Sequence, residues 1–463
     1  MQGFLSSNKI DYVLFHIGQH LELSSEIRER IIFLKRDRKI PSKGRIIFQL
    51  SESSFNINNV KTLEGIPILF PLGNKKEFYK IEDGSLIFHD DLLKSAFYLL
   101  SGYQELNAKY RDRYDRFPYE LSVQHKLDKC QIPIVNYYFE KIYRGIEEFC
   151  QFHSIPFNRI QLFNNFGFFL SHDIDKVDTY TFKEVIFILK QAFGLSRRTL
   201  PLGRTWKHAF HYLINYLNFF NRKNPHWDFN YHLELEKKYS FKSTYFFLSG
   251  GTRNQDALYS FSEARIVNLF KILSDEDMEI GLHGSYNTPD NLDLFVKEKK
   301  YLEKYAGLKI SGNRQHALRF FMDRTPQIYE NAGIMFDSTL GFAEHEGFRN
   351  GYCHPFRLYD HENDRMIETI EIPLSVMDVT LFMYRKLSMA DAMKEMDNLL
   401  EEIVKFGGVF SLLWHNGNFD EIQFPGIRKF YEKLLGKVSA LNADSFTGSD
   451  LVRRVNESRK EAS

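Results

Sequence analysis

The chain has 463 residues, a net charge of +1, 43% apolar residues and 26% charged residues. These values set it among globular proteins of two or three domains with ample core, and exclude a charge-driven affinity for nucleic acid. Its three cysteines, Cys130, Cys150 and Cys353, lie far apart in odd number, which excludes a zinc-finger spacing and argues against a disulfide framework. The first residues lack a basic region followed by an apolar core, and no uncharged apolar run approaches bilayer length, so a cytoplasmic location is expected.

Residues 1–160 read as a separate N-terminal α/β domain of unknown function. Ile10 to His16 reads as a strand, Ser24 to Arg36 as a charged helix, and Arg45 to Leu50 and Ile66 to Phe70 as strands. Asp91 to Leu106 is an amphipathic helix. The stretch Tyr110 to Glu120, Y-R-D-R-Y-D-R-F-P-Y-E, alternates charges and aromatics. It suits a surface knot of ion pairs better than a ligand site, because nothing in it has metal or nucleophile spacing. A helix runs from Ile132 to Phe149. The domain contains no P-loop, dinucleotide fingerprint or internal repeat.

Residues 161–450 alternate strands and helices, as in a parallel sheet or barrel. Strands are expected from Phe166, at Ser243 to Leu248, Glu279 to His283, Ile334 to Asp337, Ile370 to Pro373 and Gly408 to His415. An insertion, 185–227, has no acidic residue. It carries Lys190, Arg197, Arg198, Arg204, Lys207, Arg222 and Lys223 among aromatics such as Phe193, Trp206, Phe210, Phe219 and Phe220. Its plain reading is a helical excursion packed on the barrel with a basic face in water. Its sharper reading is a lid or patch for an anionic or lipid-linked glycan, or peripheral membrane contact. The weak amphipathic pattern favours the plain one. The last residues, 451–463, read as a polar, fraying tail.

Candidate chemistry gathers at the strand ends. An apolar run at Phe168 to Leu170 stops at His172, Asp173 and Asp175. A buried strand ending in acids is where an α/β enzyme places its site. Asp173 and Asp175 are two apart and point the same way on an extended backbone. They suit a metal ligand beside a base, or, more plainly, a solvated turn. The later strands end at His283, at Arg314 and His316, near Asp378, and at His415. Asp and His ligands with an open position suit zinc or a related divalent ion, and the natural reaction is metal-assisted hydrolysis of an amide or ester.

The order S-H-D-I-D, S-T-Y-F-F-L, G-L-H-G-S-Y-N, R-Q-H-A-L-R-F and L-L-W-H-N resembles the polysaccharide deacetylase (NodB-homology) family of carbohydrate esterases. A bacterial branch with an N-terminal domain of unknown function is closer still. The resemblance covers roughly residues 166–430 and implies a distorted (β/α) barrel. It implies Asp173 as base, Asp175 and His283 as metal ligands, Arg314 as the partner that orients Asp173, and His415 as the acid. Asp378 is the candidate for orienting His415. The chain departs from the family at two places. Ile174 separates acids that are usually adjacent, and Asn287 stands where a second histidine is usual. Either Asn287 or water completes the metal sphere, or His316 does; an imidazole restores the usual donor set.

The resemblance implies a hydrolase that removes an acyl group, N-acetyl above all, from a sugar of a glycan or glycan precursor. The expected cytoplasmic location favours a nucleotide- or lipid-linked precursor as partner. A catalytically degenerate glycan-binding or scaffold protein on the same barrel is the alternative, motivated by Asn287. A hydrolase of a non-sugar amide is a third.

Overall fold

The computed structural model describes residues 3–35, 43–198, 201–218, 224–250 and 256–461. Arg36 of the expected helix, and Phe219, Phe220, Arg222 and Lys223 of the insertion, lie outside them. The N-terminal part holds β1 (Ile31–Lys35), β2 (Ile46–Leu50), the hairpin β3 (Lys61–Leu63) and β4 (Ile66–Ile68), β5 (Tyr79–Glu82) and β6 (Ser85–Phe88). Four of these form a sheet in the order β1-β2-β6-β5. Two expectations are corrected here. Residues 10–16 belong to a helix, Ser7–Ile17, whose buried Ile10, Val13 and Ile17 recur at helical spacing. The helix expected over Ser24 to Arg36 stops at Arg30, and the β-branched pair Ile31-Ile32 opens β1 instead, in parallel register with Ile46 and Ile47.

The second sheet is built from β7 (Gly167–Ile174), β8 (Ser243–Leu248), β9 (Glu279–Gly284), β10 (Gly312–Gln315), β11 (Phe336–Asp337), β12 (Phe356–Asp360), β13 (Arg365–Glu371), β14 (Val376–Met377), β15 (Val409–Leu413) and β16 (Asp444–Ser445). Its order is β12-β13-β11-β10-β9-β8-β7-β15-β14, with β16 against β7. Every pairing from β13 through to β14 is parallel, and only β12 is antiparallel. The sheet is curled. Arg314 on β10 and Asp173 on β7 are three strands apart, about 14 Å on a flat sheet, yet their side chains meet at 2.8 Å. The chain runs from β13 to β14 through only Ile372 to Ser375, so it bridges the two ends of the parallel series itself.

Inside the curl, Phe169, Phe246, Phe336 and Val409 form a core plug, and Leu451, Val452 and Val455 pack against it. The expected fraying tail is therefore a helix, Gly448–Glu461, docked at the end of the sheet where β7 begins. Three apolar residues at i, i+1 and i+4 suffice to seat an otherwise charged segment.

The N-terminal part shares its core with the rest of the chain. One continuous buried cluster joins Ile17, Leu93 and Tyr138 to Phe270, Tyr329 and Tyr359. Across this join Arg349 pairs with Glu105 through Nη2–Oε2 at 2.6 Å and Nε–Oε1 at 2.8 Å, both side chains buried. The insertion forms two helices, Phe182–Ala192 and Leu202–Leu217, held together by Val185, Ile188, Ala192, Ala209 and Tyr212. Their outward side is not simply a basic face, because Phe193, Trp206 and Phe210 are exposed there as well. Among the described residues, no helix is long and apolar enough to cross a membrane.

Candidate active site

The carboxyl ends of β7, β9, β10, β14 and β15 face one pocket of about 800 Å³. Its lining includes Asp173, Asp175, His283, His316 and His415. Asp173 is the last inward-facing residue of β7, with Asp175 just beyond the strand. His283 sits near the end of β9, where Gly284 follows because a Cβ there would lie 2.6 Å from Gln315 Oε1. That glycine lets β9 close onto β10 at the site. Arg314 lies on β10, and the chain leaving it is unusual. Ala317 and Leu318 both adopt left-handed backbone (φ 60° and 54°), a conformation that costs non-glycine residues energy and often marks functional sites. This bend lies directly after His316.

Arg314 is fully buried and fully engaged. Its Nη1 donates to Asp173 Oδ1 at 2.8 Å, its Nε to Ser338 O at 2.7 Å, and its Nη2 to Ser338 Oγ at 3.0 Å. The guanidinium also stacks over the Phe246 ring of the core plug, at 4.6 Å from its centroid. Asp173 is thus clamped from below, with Oδ2 left 3.5 Å from His283 Nε2. His283 Nδ1 lies 2.8 Å from Arg314 O. A proton donated to that carbonyl leaves Nε2 free toward the acids, the second-partner arrangement typical of a metal-binding histidine.

Asp175, His283 and His316 each offer a ligand atom, and the three atoms lie within 4.8 Å of one another. Asp175 Oδ1 is 3.3 Å from His283 Nε2. Asp175 Oδ1 and His316 Nδ1 are both shielded from solvent and have no hydrogen-bond partner, although buried polar atoms are almost always satisfied. Orphaned donors of this type, converging on one point, fit a divalent cation. Burial opposes the charge on Asp175, but His283, His316 and His415 outweigh it and hold the carboxyl well below the usual range. Burial likewise opposes protonation of His283, yet Asp173 and Asp175 raise its pKa. Of the two alternatives for the third ligand, the structure brings His316 into the group. Asn287 instead stands half-buried at the start of the turn Thr288–Asp290 and does not line the pocket.

Opposite, His415 Nδ1 is 2.7 Å from Asp378 Oδ1, and Asp378 Oδ2 accepts from the His415 main-chain N–H and from Asn418 Nδ2, each at 2.8 Å. His415 Nε2 points at Asp175 Oδ2, 3.9 Å away. Burial disfavours the imidazolium, but Asp378, with Asp175 and Asp173, raises its pKa to about 10. His172 turns away from the pocket, to Glu236 at 2.9 Å and Trp414 O at 2.9 Å, within a buried layer behind the sheet.

Several residues in and around the pocket carried no sequence signal of their own. Ser338 anchors Arg314, and Asn418 anchors Asp378. Asp256 Oδ1 lies 3.7 Å from His316 Nδ1. The Tyr110 to Glu120 stretch does form ion pairs, with Arg116 on Asp112 at 2.6 Å, but its Tyr114 and Arg116 also reach the pocket. The signal there was the alternation of arginine and tyrosine.

A family of unknown function, DUF7033, matches residues 5–151. No curated protein matches the chain. Among solved structures, one described as a "putative polysaccharide deacetylase" from Mycobacterium smegmatis is similar at 17% identity and TM-score 0.40, covering 64% of this chain and 92% of that one. A "probable polysaccharide deacetylase" from Pseudomonas aeruginosa PAO1 and the allantoinase PuuE each align at 13% identity and TM-score 0.41, covering 63% of this chain and 90% of theirs.

Proposed function

We propose that the protein is a metal-dependent hydrolase that removes an acyl group, N-acetyl above all, from a sugar of a glycan or glycan precursor. The observation that carries this reading is the juxtaposition in one pocket of an Asp175–His283–His316 group, an Arg314-clamped Asp173 and an Asp378-held His415. The motif order that resembles the deacetylase family supports the same reading. A divalent cation held by Asp175, His283 and His316, zinc by its donor preference, would polarise the acyl carbonyl and acidify water.

The residues of the chain divide the remaining work. Asp173, fixed by Arg314, accepts the proton of the attacking water. His415 holds a proton at Nε2, because Asp378 fixes Nδ1, and delivers it to the departing amine nitrogen. Tyr114, Arg116, Phe187, Gln191 and Tyr212 wall the pocket, exclude water and seat the sugar. The test is acetate release from an N-acetylhexosamine oligosaccharide by the zinc-loaded chain. Asp173→Asn should retain metal and lose turnover by about 10²-fold or more, whereas Asp175→Ala should lose both. Full turnover in either variant would overturn the assignment.

A further inference from the structure

Exposed apolar surface is concentrated in one place. Of the 18 large apolar side chains exposed among the described residues, ten lie between residues 182 and 217. On the helix Leu202–Leu217, the exposed residues Leu202, Trp206, Phe210, Ile214 and Leu217 recur every three or four positions and make one outward stripe. The stripe runs the length of the helix, about 24 Å. On the antiparallel partner, Phe182, Ile186 and Phe193, spaced by four and seven, share one outward face. The two stripes meet where Phe193 lies against Trp206, at 4.9 Å between ring centroids. The faces that hold the hairpin together are different ones, formed by Val185, Ile188, Ala209 and Tyr212. The outward stripe is therefore surplus to folding, and Phe210 and Leu217 are 66% and 72% exposed.

Charge selects the occupant. Exposed Lys190, Arg197, Arg198 and Lys207 lie on the two helices and the turn between them, and the one acid of those helices, Glu184, lines the pocket and pairs with Lys176. A long aromatic stripe beside basic side chains is what an anionic bilayer surface takes, with the helices lying in the headgroup plane. The same two helices turn Phe187, Ile188, Gln191, His208 and Tyr212 toward the pocket, so a docked hairpin brings the pocket to the lipid surface.

We propose that the outward face of the helices Phe182–Ala192 and Leu202–Leu217 docks on a bilayer containing anionic lipid, and that the pocket beside it acts on the sugar of a glycolipid. The second part rests on the deacylase reading; the docking does not. The full, zinc-loaded chain is to be mixed with vesicles of phosphatidylglycerol and phosphatidylcholine, and with phosphatidylcholine alone. Binding is expected only to the former and to weaken with salt, with a blue shift of Trp206 emission that is absent in Trp206→Phe. Trp206→Ser/Phe210→Ser should cut vesicle affinity about tenfold or more, and so should Lys190→Glu/Lys207→Glu, which leaves the apolar stripe intact. Neither pair lines the pocket, so hydrolysis of a soluble N-acetylated oligosaccharide should be unchanged, while hydrolysis of a vesicle-borne N-acetylhexosamine glycolipid should fall with affinity. No vesicle binding, or a soluble dimer dissociated by the same substitutions, overturns the docking even if the soluble sugar is hydrolysed. Vesicle binding without hydrolysis of either sugar keeps the docking and sinks the deacylase reading.

Discussion

The Asp378 carboxylate grips His415 from two sides: Oδ1 meets Nδ1 at 2.7 Å, while Oδ2 accepts the main-chain N–H of the same residue at 2.8 Å. One side chain thus fixes the tautomer, the ring orientation and the backbone that carries the ring. It is also the largest influence opposing burial in the rise of the His415 pKa to about 10.

That pairing has a definite pH signature. A carboxylate stabilises the imidazolium, so a proton on His415 persists to higher pH. If the step needs that proton, the rate falls as pH rises through the His415 pKa. Asp378→Asn removes the carboxylate charge, lowers that pKa, and moves the falling limb of kcat against pH toward acid. The limbs are to be compared at equal metal loading. An unmoved limb would show that His415 does not donate the proton.

The third metal ligand is tested by two substitutions. His316→Ala is expected to weaken zinc binding by about 10²-fold or more, since it removes one of three protein donors. Asn287→Ala is expected to leave it within about twofold, as Asn287 does not line the pocket. Equilibrium competition against a chromophoric chelator reads both. The reverse ranking would return the site to Asn287.

Arg314 combines positioning with stability. It is fully buried, and Arg314→Leu would leave Asp173 in the core without its countercharge. Breaking a buried pair on one side costs about 3–5 kcal/mol. Chemical denaturation should show a loss of that order, with a fall in kcat beyond what the residual folded fraction explains. Arg314→Lys should recover part of the stability but not the rate, because an ammonium lacks the planar fork that reaches Asp173 and Ser338 together.

The sequence carried the site further than it carried the N-terminal fold. Asp173, Asp175, His283 and His415 were legible because each follows an apolar run that reads as a buried strand, and strand ends of a curled parallel sheet share one face; Arg314 follows no such run and was legible only through the resemblance. Donor chemistry favoured His316 over Asn287 from sequence, and His316 does join the group; the left-handed backbone at Ala317 and Leu318 directly after it was not legible, because neither residue type advertises it. The helix Ser7–Ile17 was misread because its β-branched and aromatic residues favour strand locally, and tertiary burial at helical spacing prevails. Tyr114 and Arg116 sit more than fifty residues before the first site residue, and no local pattern predicts which surface a loop will reach.

The join between the N-terminal part and the curled sheet yields the last prediction. A separate domain would unfold in its own transition. Here Glu105 and Arg349 form a two-point pair with both partners buried, and the surrounding core runs unbroken from Leu93 and Tyr138 to Tyr352 and Tyr359. Main-chain bonds reinforce it, with Val135 N–H donating to Gly351 O at 2.7 Å and Phe348 N–H to Cys130 O at 2.8 Å. Coupling of this kind makes the two parts unfold together. A single cooperative calorimetric transition is expected for the whole chain. Glu105→Ala, which strands Arg349 in the core, should lower its midpoint by an amount corresponding to about 3–5 kcal/mol without splitting it. Two resolved transitions, with only the first moved by the substitution, would instead establish an independent N-terminal domain.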